Sequence, residues 1–332
     1  MQRPTKPGRR VRAHHRVPER DENPSLSFIP RILRECTVRR RLGTPADSLA
    51  VRNESRYTQA VMTHTALITG ASAGIGEEFA RVLAHDGFDL VLVARRRERL
   101  DALAEALARE HGVRVHVLPD DLSDPQAPVR IQGALAQLDL HIDMLVNNAG
   151  AGIKQTFVRA PWSEHAQLMQ VQVVAATHLT HLLLPAMVRR GYGRIIQVSS
   201  LAGLMPGAPT STLYPAAKSF LVKFSESLAA ELRDTGVHVC AVCPGFTRSE
   251  FHDVMGTRGV VSKLPGFMWQ DARTVAREGV LAVHRNETVY VTGPINQLLA
   301  SVVRVLSPGL ARKVMMKQAG RYRSIPPRGN PA

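Results

Sequence analysis

From Thr65 onward, short apolar runs alternate with longer stretches whose apolar residues recur every three or four positions. Ala66-Leu67-Ile68, Asp89 to Ala94, Arg114 to Leu118, Met144 to Val146, Arg194 to Ser199, Val237 to Val242 and Thr288 to Thr292 read as seven strands. Helical spacing appears in Glu77 to Asp86 through Phe79, Val82 and Leu83, and in Arg97 to His111 through Leu100, Leu103 and Leu107. It appears again over Pro125 to Leu138, Glu164 to Arg190 and Thr212 to Asp234. Strands joined by helices of this length predict an α/β fold: a doubly wound parallel sheet of seven strands, helices on both faces, in a single domain over 62–294. Such sheets bind ligands beyond the carboxyl ends of their strands.

Both ends of the chain depart from this alternation. Residues 1–61 are rich in Arg and Pro and lack periodicity, so they read as a disordered basic extension. Glu19, Asp21 and Glu22 argue against a transit peptide there, and Met62, just before the first strand, is the expected start of translation. Over 295–332, Ile295, Leu298, Leu299, Val302, Val303 and Leu306 form an apolar helical stripe, followed by Arg312, Lys313, Lys317, Arg321 and Arg323. The stripe is too short to span a bilayer. Two expectations stand: it packs on the fold or a second subunit, or it makes weak peripheral contact with the inner face of a membrane.

Charge sharpens the second expectation and removes another. The formal charge is +15, but residues 1–61 hold 14 basic against 6 acidic residues and residues 288–332 hold 7 basic and none acidic. The body is neutral, which excludes a nucleic-acid groove built into the fold. Three cysteines are too few for a disulfide framework and point to a reducing, cytoplasmic setting. Cys240 and Cys243 lie three apart on a strand, on opposite faces, so no metal site is expected from them.

Candidate chemistry begins at Thr69-Gly70-Ala71-Ser72-Ala73-Gly74-Ile75-Gly76, between the first strand and the first helix. Glycines there allow a tight turn, close approach of backbone to a pyrophosphate and close seating of the helix, whose unpaired N–H groups favour phosphate. Roughly 20 residues on, where an acidic residue would bind the ribose of NAD(H), the chain has Arg95 and Arg96. Their planar forks suit a 2′-phosphate, so NADP(H) is preferred over NAD(H). Arg97 and Arg99 are expected to be solvated. A second centre is Tyr214 with Lys218: four apart on a helix, they share a face, and the ammonium should favour the phenolate.

Together these motifs resemble the short-chain dehydrogenase/reductase family over Thr65 to about Phe251, through the glycine bend, Asp121-Leu122, Asn147-Asn148-Ala149-Gly150, Ser199-Ser200, Tyr214 with Lys218, and Pro244-Gly245. The resemblance implies a Rossmann fold with strand order 3-2-1-4-5-6-7 and hydride transfer between NAD(P)(H) and an alcohol or ketone. It implies that Ser200 orients the carbonyl, Tyr214 is the acid/base and Lys218 holds the nicotinamide ribose. It further implies cofactor contacts from Gly70, Ser72, Gly74, Ile75 and Gly76, from Asp121 and Leu122 at the adenine, and from Asn148, Ala149 and Gly150. Pro244 and Gly245 would lie along the nicotinamide, with Thr247 or Ser249 near its carboxamide or phosphate.

The chain departs from the family at Gln172, which stands where an Asn usually positions a water in the proton relay. The loop from Ser200 to Tyr214 is also one residue longer. Leu204, Met205, Pro206, Phe246, Phe251, Phe267, Met268 and Trp269 in the flanking loops point to a small apolar carbonyl or alcohol substrate. Assembly as a homo-oligomer through the two long helices is expected. The rival reading is a non-catalytic NAD(P) sensor or scaffold that kept the fold, favoured only by Gln172.

Overall fold

Along β1 (Thr65–Thr69) successive side chains enter different cores, Ala66 and Ile68 on one face of the sheet and Leu67 on the other. The computed structural model describes residues 63–207, 212–250, 265–307 and 309–313. The N-terminal extension, its expected boundary at Met62, Phe251 and the tail from 314 lie outside the described residues.

Among the described residues, seven strands make one sheet in the order β3-β2-β1-β4-β5-β6-β9, every pair parallel, as expected. They are β1, β2 (Asp89–Ala94), β3 (Val115–Pro119), β4 (Met144–Asn147), β5 (Gly193–Val198), β6 (Val237–Cys243) and β9 (Val289–Val291). Two short strands, β7 (Phe246–Thr247) and β8 (Trp269–Gln270), pair separately beyond β6.

Helices α1 (Gly74–His85), α2 (Arg97–His111) and α7 (Ala272–His284) cover one face. Their stripes are Phe79, Ala80 and Leu83; Leu100, Leu103 and Leu107; and Val275, Ala276 and Val280. Helices α3 (Ala127–Gln137), α5 (Ala176–Arg190) and α6 (Leu213–Glu231) cover the other through residues such as Ile131, Leu179 and Leu228. Each Leu or Phe so buried contributes about 1.5–3 kcal/mol, so packing rather than propensity fixes the helices.

Helix α4 (Trp162–Met169) runs through a π-helical turn at Gln170–Ala175 into α5. The 29-residue run is apolar enough by composition to cross a membrane, but Ala175, Leu179 and Met187 lie in the core on the sheet. The π turn is absent from the sequence expectation of one regular helix. Such turns recur at functional positions.

The base of the sheet carries an ion pair between the buried Asp89 and the exposed Arg114. Asp89 accepts from the Arg114 backbone N at 2.8 Å and from its guanidinium at 2.6 and 2.8 Å. Burial raises the Asp89 pKa, but these bonds outweigh it and hold the carboxyl below its ordinary value.

Cys240 and Cys243 are both free and buried, and they enter different core clusters, as strand geometry requires. Helix α8 (Pro294–Val305) departs from one expectation. Among the described residues, Asn296 and Ala300 are buried and Val303 and Leu306 half-buried, whereas Ile295, Leu298 (65%), Leu299 and Val302 (43%) are exposed, so most of the apolar stripe is left uncovered by them.

Candidate active site

Helix α1 starts at Gly74, earlier than its apolar spacing suggested, so Gly74, Ile75 and Gly76 form its first turn. A β-carbon at Gly76 would collide with the Gly70 carbonyl and the Asn148 side chain, and Gly70 holds a left-handed φ of 68°. The bend is thus closed to side chains, with helical N–H groups facing outward. This cradle fits a dinucleotide pyrophosphate.

Asn148 locks the bend to β4. Its Nδ2 donates to the Thr69 carbonyl at 2.9 Å and to Gly70 at 3.4 Å, while Thr69 Oγ1 accepts from the backbone N of Asn148 (3.0 Å) and Ala149 (3.1 Å). Deeper, Asn147 Nδ2 donates to Thr180 Oγ1 at 3.1 Å, and Gln197 Nε2 to the same oxygen at 3.0 Å, tying β4 and β5 to α5.

At the end of β2, Arg96 donates to Ser72 Oγ at 3.0 and 3.2 Å and to the Ser72 carbonyl at 3.3 Å, so it stands at the bend. Arg95 is exposed, 4.0 Å from Asp121, whose Oδ1 accepts from the Ser123 backbone. Leu122 sends its side chain into the core with Val91 and Val93, so only its backbone remains for a ligand. Arg99, expected to be solvated, instead pairs with Glu250 at 2.6 Å. Glu250 was not singled out in the sequence.

Gly150 adjoins the Gln172 side chain, whose Nε2 donates to the Ala151 carbonyl. Gln172 Oε1 is buried without a hydrogen-bond partner among the described residues. The π turn that carries Gln172 sets it beneath the end of β4.

The second centre forms where β5 ends. Ser200 caps a short helical turn, Leu201–Gly203, accepting from Ala202 N at 3.1 Å. That turn is fastened to α6, since Ser199 Oγ donates to the Lys218 carbonyl at 2.8 Å and Ser219 Oγ to Gly203 at 2.6 Å. A hydrogen bond joins Ser200 and Tyr214, and Lys218 Nζ lies 5.6 Å from the Tyr214 ring centre, on the same helix face.

Here the electrostatics differ from expectation. Burial raises the Tyr214 pKa, only partly countered by the Ser200 bond. The buried ammonium donates to the Val198 carbonyl at 2.8 Å, and burial lowers its pKa to about 8. Desolvation therefore sets the direction at the phenol, against the lowering expected from the sequence.

The Pro244-Gly245 turn abuts this centre: Leu201 N donates to the Pro244 carbonyl at 2.8 Å. Gln270 Oε1 accepts from Gly245 N (3.2 Å) and Thr292 Oγ1 (2.8 Å), and Thr247 Oγ1 donates to the Gly245 carbonyl at 3.2 Å. A β-carbon at Gly245 would strike the Asn296 side chain, so α8 begins against the turn. Ser249 stands over the glycine bend, 3.0 Å from where a Gly74 β-carbon would lie. The rings of Phe246 and Trp269 are 6.0 Å apart, and Phe267 is exposed.

The chain matches the family model of short chain dehydrogenases over residues 64–257. It is 38% identical over 232 residues to Nodulation protein G of Rhizobium sp. (strain N33), covering 69% of this chain and 92% of that protein. It is similar to the solved structure of a short-chain dehydrogenase from Sphingobium yanoikuyae in complex with NADPH, at 32% identity and a TM-score of 0.64, over 74% of this chain and 96% of that one. A bulky-bulky ketone specific alcohol dehydrogenase from Comamonas testosteroni is similar at 29% identity and a TM-score of 0.60, over 74% and 95%.

Proposed function

This chain belongs to the short-chain dehydrogenase family, and from that premise we propose that it is an NADP(H)-dependent oxidoreductase interconverting a carbonyl and a secondary alcohol on an apolar substrate. The nicotinamide would supply or accept the hydride when bound. The observation that carries the reading is the hydrogen-bonded Ser200–Tyr214 pair with Lys218 on the same helix face, beside the Pro244-Gly245 turn.

In the reducing direction Tyr214 gives its proton to the carbonyl oxygen, and Ser200 donates a hydrogen bond that orients it. A phenol is protonated at neutral pH, and burial, which raises the Tyr214 pKa, holds it so until the carbonyl oxygen takes the proton. Lys218 stabilises the phenolate left behind. The open Oε1 of Gln172 is an acceptor for a water that returns the proton.

Gly70, Gly74 and Gly76 would cradle the pyrophosphate, with Ser72, Ile75, Thr247 and Ser249 beside it. Arg96, with Arg95 nearby, would meet a 2′-phosphate, and the NADPH complex of a similar enzyme agrees with that preference. Asp121 and the Leu122 backbone would face the adenine, and Asn148, Ala149 and Gly150 the adjoining ribose. Phe246, Phe267 and Trp269 favour an apolar substrate, and a similar enzyme is specific for bulky ketones. Exposed Val174 and Val188 on the long helix and Phe220 on α6 suit a homo-oligomer. The exposed arc of α8, in a segment without acidic residues, suits peripheral contact with an anionic membrane from the cytoplasmic side.

NADPH oxidation over a panel of ketones and aldehydes tests the reading. The wild type should turn over apolar members, and Tyr214→Phe should lose at least roughly 100-fold in rate while still binding NADPH. Binding without turnover on any carbonyl would instead make the chain a dinucleotide sensor.

A further inference from the structure

The outer wall of the glycine bend is crossed by ion pairs between segments 154 and 151 residues apart in the chain. Glu250 accepts from Arg96 at 3.0 Å through one carboxylate oxygen and from Arg99 at 2.6 Å through the other. Arg96 is the residue before α2, and Arg99 lies in its first turn. Cations sit unfavourably at a helix N-terminus, and a nearby anion relieves them. The other edge of the Arg96 fork is spent on Ser72 Oγ, at the bend itself. Ser249, next to Glu250, stands over Gly74. One carboxylate therefore takes two guanidinium groups at the bend, one of them Arg96, the residue read as the partner of the 2′-phosphate.

These are the donors a phosphate would use, and a phosphate brings more charge and one more acceptor oxygen than a carboxylate. We propose that Glu250 is a specificity-determining residue, an internal anion that competes with the ribose 2′-phosphate for Arg96 and Arg99. The inference rests on the reading of Arg96 as a 2′-phosphate partner. A ligand with the phosphate gains the two arginines only by displacing Glu250, whereas a ligand without it leaves the pairs in place. Glu250 thus narrows the preference that the arginines create. All three side chains are about half exposed, and exposed ion pairs contribute little to folding, so a variant at 250 keeps the fold.

Calorimetric titration of the full chain with adenosine 2′,5′-bisphosphate and with adenosine 5′-monophosphate isolates the phosphate from all other cofactor contacts. Glu250→Gln should bind the bisphosphate roughly 2- to 10-fold more tightly than the wild type and leave the monophosphate unchanged. In an Arg96→Gln, Arg99→Gln background, Glu250→Gln should have no effect. Equal gains for both nucleotides, or no gain for the bisphosphate, would overturn the role of Glu250. A wild type that already favours the bisphosphate, with an unresponsive Glu250→Gln, leaves the cofactor reading intact and sinks only this one. A wild type without preference that acquires it in Glu250→Gln does the reverse.

Discussion

Lys218 Nζ donates to the Val198 carbonyl at 2.8 Å while standing 5.6 Å from the Tyr214 ring centre. The buried ammonium is held by the sheet, on the helix face it shares with the phenol.

A pH-dependent stability follows. Burial lowers the Lys218 pKa from 10.5 to about 8. Between those values the unfolded chain binds more protons than the folded one, so this group adds stability as pH rises through the window. Below about pH 8 both states are protonated and its contribution is flat, at its least favourable. Thermal melts of wild type and Lys218→Met should show the difference shifting toward the wild type from pH 8 to 10, on the order of 1 kcal/mol per pH unit. A constant difference would mean that the ammonium is better solvated than its surroundings indicate.

Gly76→Ala should destabilise by roughly 1–3 kcal/mol, the cost of forcing an atom into packed structure. The added methyl meets the Gly70 carbonyl and the Asn148 amide, neither of which is a free end. Urea denaturation measures the loss, and nucleotide titration should show binding lost with it. A fully stable variant would mean that the bend can open.

Asp89 gives the opposite sign to Lys218. Its pKa is depressed below 3.8 because the Arg114 hydrogen bonds outweigh burial, so its stabilisation is complete above that value and fades as pH falls through the lowered one. Asp89→Asn should cost about 1–3 kcal/mol at pH 7. The gap should narrow as pH falls below 3.8. A gap unchanged with pH would show that the bonds, not the charge, matter.

For α8, co-sedimentation with vesicles containing anionic lipid should be weakened several-fold in a Leu298→Ser, Val302→Ser variant, with activity retained. Equal sedimentation of both proteins would dismiss membrane contact and leave the exposed arc to another subunit.

What the sequence made legible was what is local. The glycine bend declares itself because strand, turn and helix are contiguous, and Tyr214 with Lys218 because four residues along a helix fix a shared face. The parallel, doubly wound sheet followed from the alternation, and its strand order from the family resemblance. The Arg99–Glu250 pair did not show, since its partners are 151 residues apart and each alone reads as a solvated surface charge. The π turn at Gln170–Ala175 was not read from the sequence either. The raised Tyr214 pKa was misread for a related reason: a neighbouring cation is visible in a sequence, and the loss of water around a hydroxyl is not.

Asn296 fills the space that a side chain at Gly245 would need, and its Nδ2 donates to the Thr292 carbonyl at 2.9 Å. Helix α8 is consequently a buttress rather than an appendage. Shortening the chain ahead of residue 296 would strip a prop from the floor of the reaction chamber, and a force applied at the outer arc of α8 has a direct lever on that floor.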